Sequence, residues 1–148
     1  MKRRRVSLLE VFAAKDARLL KVLLIVYVAS FLGATYNHGM DLILHGLFPY
    51  QRLNSAVSPF LNAYWTLLTL LDPLAILLLW FSIDLGLVAY GLVILSDVLI
   101  NYSFMISTKG LFSVINAGQV SKLLFLIFYL CTVRHLHVKS QALQVRRH

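Results

Sequence analysis

The chain has 148 residues, of which 59% are hydrophobic and only 14% charged, with a mean hydropathy of +0.78. A water-soluble domain carries about 25% charged residues and about half apolar ones at most, so this composition excludes most soluble folds. The net charge of +8 would suggest nucleic acid on a soluble surface, but half of the cations, Lys2, Arg3, Arg4, Arg5, Lys15, Arg18 and Lys21, precede the first apolar run. There they read as a topology signal beside anionic membrane lipid, and no nucleic-acid partner is expected.

Residues 1–18 form the basic N-terminus. Ser7-Leu8-Leu9-Glu10 fits the S-x-x-E capping box and predicts a short helix lying on the cytoplasmic interface. The first span is expected over about 19–36, near the ~20 residues that a bilayer core requires. A secretory signal peptide also has a basic start and an apolar core, but the basic stretch here is long and three further apolar segments follow. A retained transmembrane helix is the better reading. Residues 37–60 make a connector in which Asn37, His38, Asp41 and His45 precede the breakers Phe48-Pro49-Tyr50 and Ser58-Pro59.

The second span, about 61–80, opens with the interfacial aromatics Tyr64 and Trp65. A tight turn around residues 82–84 leads into the third span, about 85–102, so these two form an antiparallel hairpin. The fourth span is expected over about 111–133. Between Lys122 and Arg134 lies only about half a bilayer's worth of helix, so either both cations reach out from a short span or the helix starts near Leu111 and buries Lys122. The second version supplies the missing length. Residues 134–148 are a basic cytoplasmic tail. With both termini cytoplasmic, Arg52, Lys109 and Lys122 lie outside against eleven cations inside, as the positive-inside rule requires. The expected fold is all-α: one four-span domain, an integral membrane four-helix transmembrane bundle with cytoplasmic N- and C-termini. The basic start and lone Cys131, which permits no intramolecular disulfide, fit a bacterial inner membrane, with an endoplasmic reticulum membrane as the alternative.

The informative residues are the polar ones inside the spans, because an ionisable group there costs ~2.5–3.5 kcal/mol on insertion scales. On the second span Trp65, Thr69 and Asp72 share a face. On the third, Tyr90, Asp97 and Asn101 do the same. Counting ~1.5 Å per residue from the outer ends places Asp72 about level with Tyr90 or Gly91 and Asp97 higher, near Thr66, so the two carboxylates are expected at different depths and unpaired. His38, Asp41 and His45 share a face if the first helix continues outward. Two histidines and a carboxylate are zinc-ligand types, yet their spacing matches no zinc motif, and a polar cap on the helix is the simpler reading. No metal and no cofactor is expected, since the chain has no P-loop, dinucleotide fingerprint, nucleophile elbow or HExxH motif.

Asp72 admits two roles. As a protonated acid it would bond Thr69 or Tyr90 and hold two helices together. As a carboxylate it would anchor a cationic or hydroxylated lipophile, with Tyr90 and Trp65 around the apolar body. A proton relay through Asp72 and Asp97 is a third option.

Three stretches carry a resemblance to a known family. Gly39-Met40-Asp41-Leu42 follows the first span, Thr69-Leu70-Leu71-Asp72-Pro73-Leu74 bears a proline in the second, and Ser96-Asp97-Val98-Leu99 places an acid in the third. Together, over about residues 22–105, they resemble the EXPERA family of four-span membrane proteins, which includes the emopamil-binding sterol isomerase and the sigma-2 receptor. The resemblance implies a cavity for sterols or amphiphilic amines, with Asp41 and Asp97 at acidic positions. Where the isomerase has a glutamate on its second helix, this chain has Thr66 and Thr69.

The expected function is non-catalytic: a small polytopic membrane protein with an intramembrane acidic pocket for a lipid-like or amphiphilic-amine ligand. Its site is built from Asp72, Asp97, Asn101, Tyr90, Thr69, Trp65, Asp41 and His38, and its partners are membrane lipid and a lipophilic small molecule. The alternatives are an accessory or immunity-type subunit packed against another membrane protein, and an EXPERA-like isomerase or proton-coupled carrier.

Overall fold

A computed structural model describes residues 6–53 and 55–145, with the side chains of 52, 53, 144 and 145 left aside. Half of the cations counted for topology, namely Lys2, Arg3, Arg4, Arg5, Arg146, Arg147 and the side chain of Arg52, lie outside the described residues.

Among these residues all regular structure is helical. A short helix α1 (Leu8–Ala13) is followed by α2 (Arg18–His45), a five-residue α3 (Pro49–Leu53), α4 (Pro59–Phe81), α5 (Ile83–Lys109), a 3₁₀ turn (Leu111–Val114) and α6 (Ala117–Val145). The helices α2, α4, α5 and α6 are long and apolar enough to cross a membrane. Their outward faces carry leucines at high exposure, among them Leu70, Leu77, Leu92, Leu99, Leu124 and Leu130. Such a surface is untenable in water and ordinary against lipid tails. The chain is an all-α, four-helix integral membrane protein.

Helix boundaries follow local chemistry. The capping box forms as expected, with Ser7 Oγ accepting from Glu10 N and Glu10 Oε2 accepting from Ser7 N at 2.8 Å. α1 does more than lie at the surface. It buries Leu8 and Val11, and the Val6 carbonyl accepts from Ile83 N at 2.9 Å, so the segment closes the end of the bundle that carries the termini.

α2 has 28 residues, about 42 Å of helix, and exceeds the expected 19–36. The polar residues from 37 to 45 do not break it, because none is proline and several turn inward. The break falls at Gly46, whose φ of 76° lies in the left-handed region that glycine tolerates. α3 is docked by Asn62, whose Oδ1 accepts from Tyr50 N and Gln51 N while its Nδ2 donates to Leu47 O. α4 starts on Ser58 and Pro59, a side-chain cap followed by proline at the first helical position.

A single residue, Ser82, separates α4 from α5, and its Oγ caps α5 by accepting from Leu85 N. The two helices therefore pack as an antiparallel hairpin. α5 runs on to Lys109 and stops at Gly110, where φ is 84°. The expected helix start near Leu111 is corrected here. Gly110 and the 3₁₀ turn interrupt the chain, and helix resumes at Ala117 behind Asn116, whose Oδ1 accepts from Gln119 N. The length missing from the fourth span is supplied at the other end, where α6 continues past Arg134. There Asp84 receives His137 Nδ1 and Gln141 Nε2, each at 2.7 Å, and ties α6 to the hairpin turn.

Neighbours run in the order α2, α4, α5, α6. α2 and α6 also meet midway, where Tyr27 and Thr132 share a 2.8 Å hydroxyl hydrogen bond and the Tyr27 ring lies 5.5 Å from Phe128. The main apolar core, including Leu20, Leu24, Tyr27, Leu79, Ile83 and Tyr90, fills the half of the bundle nearer the termini. A smaller core of Val57, Trp65 and Leu68 sits at the opposite end, beside the long connectors. The space between them is not filled.

Candidate functional site

That space is a cavity of about 710 Å³, within the range of small-molecule sites. All four spans and α3 contribute to its wall. α2 supplies His38 and Asp41, α3 Tyr50, α4 Trp65 and Asp72, α5 Tyr90, Asp97 and Asn101, and α6 Lys122. The wall reaches the surface at Gly33 and Asn37 of α2 and at Gly118 and Ser121 of α6, all exposed. The cavity thus opens sideways between α2 and α6, in the connector half of the bundle.

The structure brings together seven of the eight residues singled out from sequence: Asp72, Asp97, Asn101, Tyr90, Trp65, Asp41 and His38. Thr69 does not line the wall, and its buried hydroxyl has no partner among the described residues. A helix turns 100° per residue, which sets Thr69 about 40–60° away from the line joining Trp65 and Asp72.

The acids have different surroundings. Asp97 is paired: Lys122 Nζ lies 2.9 Å from its Oδ2, and Asn101 Nδ2 donates to Oδ1 at 2.6 Å. Asp41 accepts the Tyr50 hydroxyl at 3.0 Å, and the same hydroxyl oxygen meets His38 Nδ1 at 2.9 Å. Asp72 is only 2% exposed, yet its Oδ2 has no hydrogen-bond partner among the described residues. Its nearest basic neighbour is His38 Nε2, at 4.0 Å. The expected bonds from Asp72 to Thr69 or Tyr90 are not present, since the Tyr90 hydroxyl is engaged with Ser30 Oγ at 3.0 Å.

His45 is not in the wall, so the shared face with His38 and Asp41 delivers only two of its three members. Among the described residues no group of three or more His, Cys, Asp or Glu side chains is arranged to hold a metal ion.

Two participants were not assigned from sequence. Lys122 becomes the counter-ion of Asp97 because the second turn of α6 faces α5, a rotation that hydropathy does not encode. Tyr50 looked like part of a helix-breaking Phe-Pro-Tyr run. Burial, followed by its hydrogen bond to Asp41 and the neighbouring carboxylates, pushes its phenol well above the ordinary tyrosine value, so the hydroxyl remains a donor. Replacing it in Tyr50→Phe removes a bridge between two α2 side chains and the connector. Thermal unfolding in detergent should show a loss of about 1–2 kcal/mol, the cost of leaving buried polar groups unmatched.

Three carboxylates and one ammonium face the cavity, together with an imidazole, so its field favours a cation. Trp65 likewise keeps its indole N–H buried without a partner among the described residues. Fold and site together define a class, a helical membrane protein with a laterally open, acid-lined cavity. Comparison with protein-family models, curated proteins and solved structures finds no match.

Proposed function

We propose that this protein is a non-catalytic membrane receptor or carrier site for a lipid-like amphiphile whose cationic head is held at Asp72. The observation that carries this reading is the state of the three acids. Lys122 neutralises Asp97 and Tyr50 engages Asp41, while Asp72 is buried, lines the cavity, and its Oδ2 has no hydrogen-bond partner among the described residues, its nearest basic group being His38 Nε2 at 4.0 Å. A buried carboxylate oxygen with nothing to bond is costly, and an ammonium relieves that cost. The apolar body of the ligand lies against Tyr90, Trp65, Phe104 and Ile94, and its tail passes through the opening between α2 and α6 into the bilayer.

In this reading both termini are cytoplasmic and the cavity occupies the outer half of a bacterial inner membrane, following the positive-inside count. The resemblance to the EXPERA family belongs to the same proposal, because it implies an amine or sterol cavity with acids at Asp41 and Asp97.

The test is Asp72→Asn, which keeps the shape and removes the charge. In lipid nanodiscs the wild-type protein should bind a long-chain alkylamine, and the variant should bind it about 30–100-fold more weakly, equivalent to ~2–3 kcal/mol. Equal affinity of the two proteins would overturn the assignment of Asp72 as anchor.

A further inference from the structure

Hydrogen-bond roles around His38 fix which ring nitrogen carries a proton. The Tyr50 hydroxyl has one hydrogen, and it goes to Asp41 Oδ2. The same oxygen must therefore accept at its contact with His38, which makes Nδ1 the protonated nitrogen. A neutral His38 then presents the bare lone pair of Nε2 on its other side, facing Asp72 Oδ2 across 4.0 Å. That separation is too long for a direct hydrogen bond. Two acceptors, both in the cavity wall, lie across a gap that one donor with two hydrogens bridges, and the acid beside it favours a positive one.

An atom placed about 2.8 Å from both acceptors sees them at an angle of about 90°, not far from the spread of two N–H bonds on a tetrahedral ammonium. The neighbouring groups are already committed. Asp41 and Tyr50 hold each other on α2 and α3, Asp97 and Lys122 are paired between α5 and α6, Tyr90 is held by Ser30, and Tyr64 on α4 by Ser96. His38 and Asp72 are the pair left to exchange a proton.

We infer that the gap between His38 and Asp72 is a one-cation exchange site: empty, it holds a single proton, and a primary or secondary ammonium displaces that proton by donating one N–H to each acceptor. This deepens the amine-binding reading above and rests on it. The step balances without any change of covalent bonding in the ligand. One ammonium enters, the single proton held on either His38 Nε2 or Asp72 leaves to solvent, and the charge of the site is unchanged. A tertiary ammonium has one N–H and satisfies one acceptor. A quaternary ammonium has none and leaves both acceptors bare, however favourable the field.

The experiment titrates the full chain in phosphatidylcholine nanodiscs with dodecylamine, its N-methyl and N,N-dimethyl derivatives, and dodecyltrimethylammonium. Calorimetry is run between pH 5 and 9 in two buffers of different ionisation enthalpy, with empty nanodiscs as the partition blank. The primary and secondary amines are expected to bind at least about tenfold tighter than the trimethylated one. At the acidic end each bound amine should release close to one proton, and affinity should rise about tenfold per pH unit until the empty site no longer holds its proton. His38→Phe, which removes one acceptor, should level the ranking between secondary and tertiary amines. If that variant does not fold, the wild-type ranking and proton count decide. Equal binding of the trimethylated and primary compounds, or no proton release at any pH, overturns the exchange site. If Asp72→Asn still weakens binding in that case, the amine-binding reading stands. Binding of none of the four, or binding indifferent to Asp72→Asn, overturns both.

Discussion

Lys122→Met is expected to destabilise the protein by about 2–3 kcal/mol, read as a fall in unfolding temperature of roughly 5–10 °C in detergent. Lys122 and Asp97 are 2.9 Å apart in the cavity wall, and the lysine side chain is 27% exposed. Removing one member of a buried ion pair strands the other, which costs about 3–5 kcal/mol when burial is complete. Two features lower that figure. The lysine side of the pair is partly open, and Asp97 keeps the short hydrogen bond from Asn101 after the lysine is gone.

The double variant Lys122→Met, Asp97→Asn should recover most of the loss, because no uncompensated charge remains. A cycle of the two single variants and the double isolates the pairing energy. Additive losses with no recovery would show that the pair contributes nothing beyond the packing of each side chain. The same double variant leaves Asp72 untouched, so amine binding should persist in it. That separates the structural pair from the ligand anchor.

The fold was legible where one physical demand dominated. Four apolar stretches long enough for a bilayer fix four spans, since backbone groups in lipid must be paired within their own helix. The single-residue turn at Ser82 leaves no route except a hairpin. What composition could not show is where α2 ends. Asn37, His38, Asp41 and His45 look like a loop, because a polar helix turn and a loop have the same composition. The difference lies in what Asn37, His38 and Asp41 line, which is a cavity walled also by α3, α4, α5 and α6.

Half of the site was equally legible. Trp65 and Asp72 on α4, and Tyr90, Asp97 and Asn101 on α5, follow the helical period, which places them on two inward stripes. Their partners were hidden for a geometric reason. The pairing of Asp97 with Lys122 depends on the rotation of α6, and the contact of Tyr50 with His38 depends on how Asn62 seats α3. Neither rotation nor seating has a short-range sequence signal. Local spacing therefore identified acids that needed partners without identifying the partners.

The largest loss of stability is expected at a position with no polar chemistry. Gly86 lies in the first turn of α5, where α4 and α5 are still close to their shared turn. A Cβ built there would run into the backbone N and Cα of Leu79 as well as its side chain. Gly91, one and a half turns further on, has a different neighbour: its added Cβ would meet the ring of Tyr129, which stacks on Tyr90 with centroids 5.6 Å apart. In lipid, helix association relies on close packing, and small residues are what let two backbones approach. A side chain can swing aside; a helix backbone in a one-residue hairpin cannot move without displacing Ser82 and the Ile83–Val6 hydrogen bond below it. Gly86→Val should therefore cost about 3 kcal/mol or more, enough to drop the yield of folded protein sharply, while Gly91→Ala should cost about 1 kcal/mol. Comparing the two by thermal unfolding and gel filtration is decisive. Equal losses would mean that the α4–α5 approach is looser than the contact at Gly86 implies, and that the hairpin is held instead by Ser82 and the apolar residues around it.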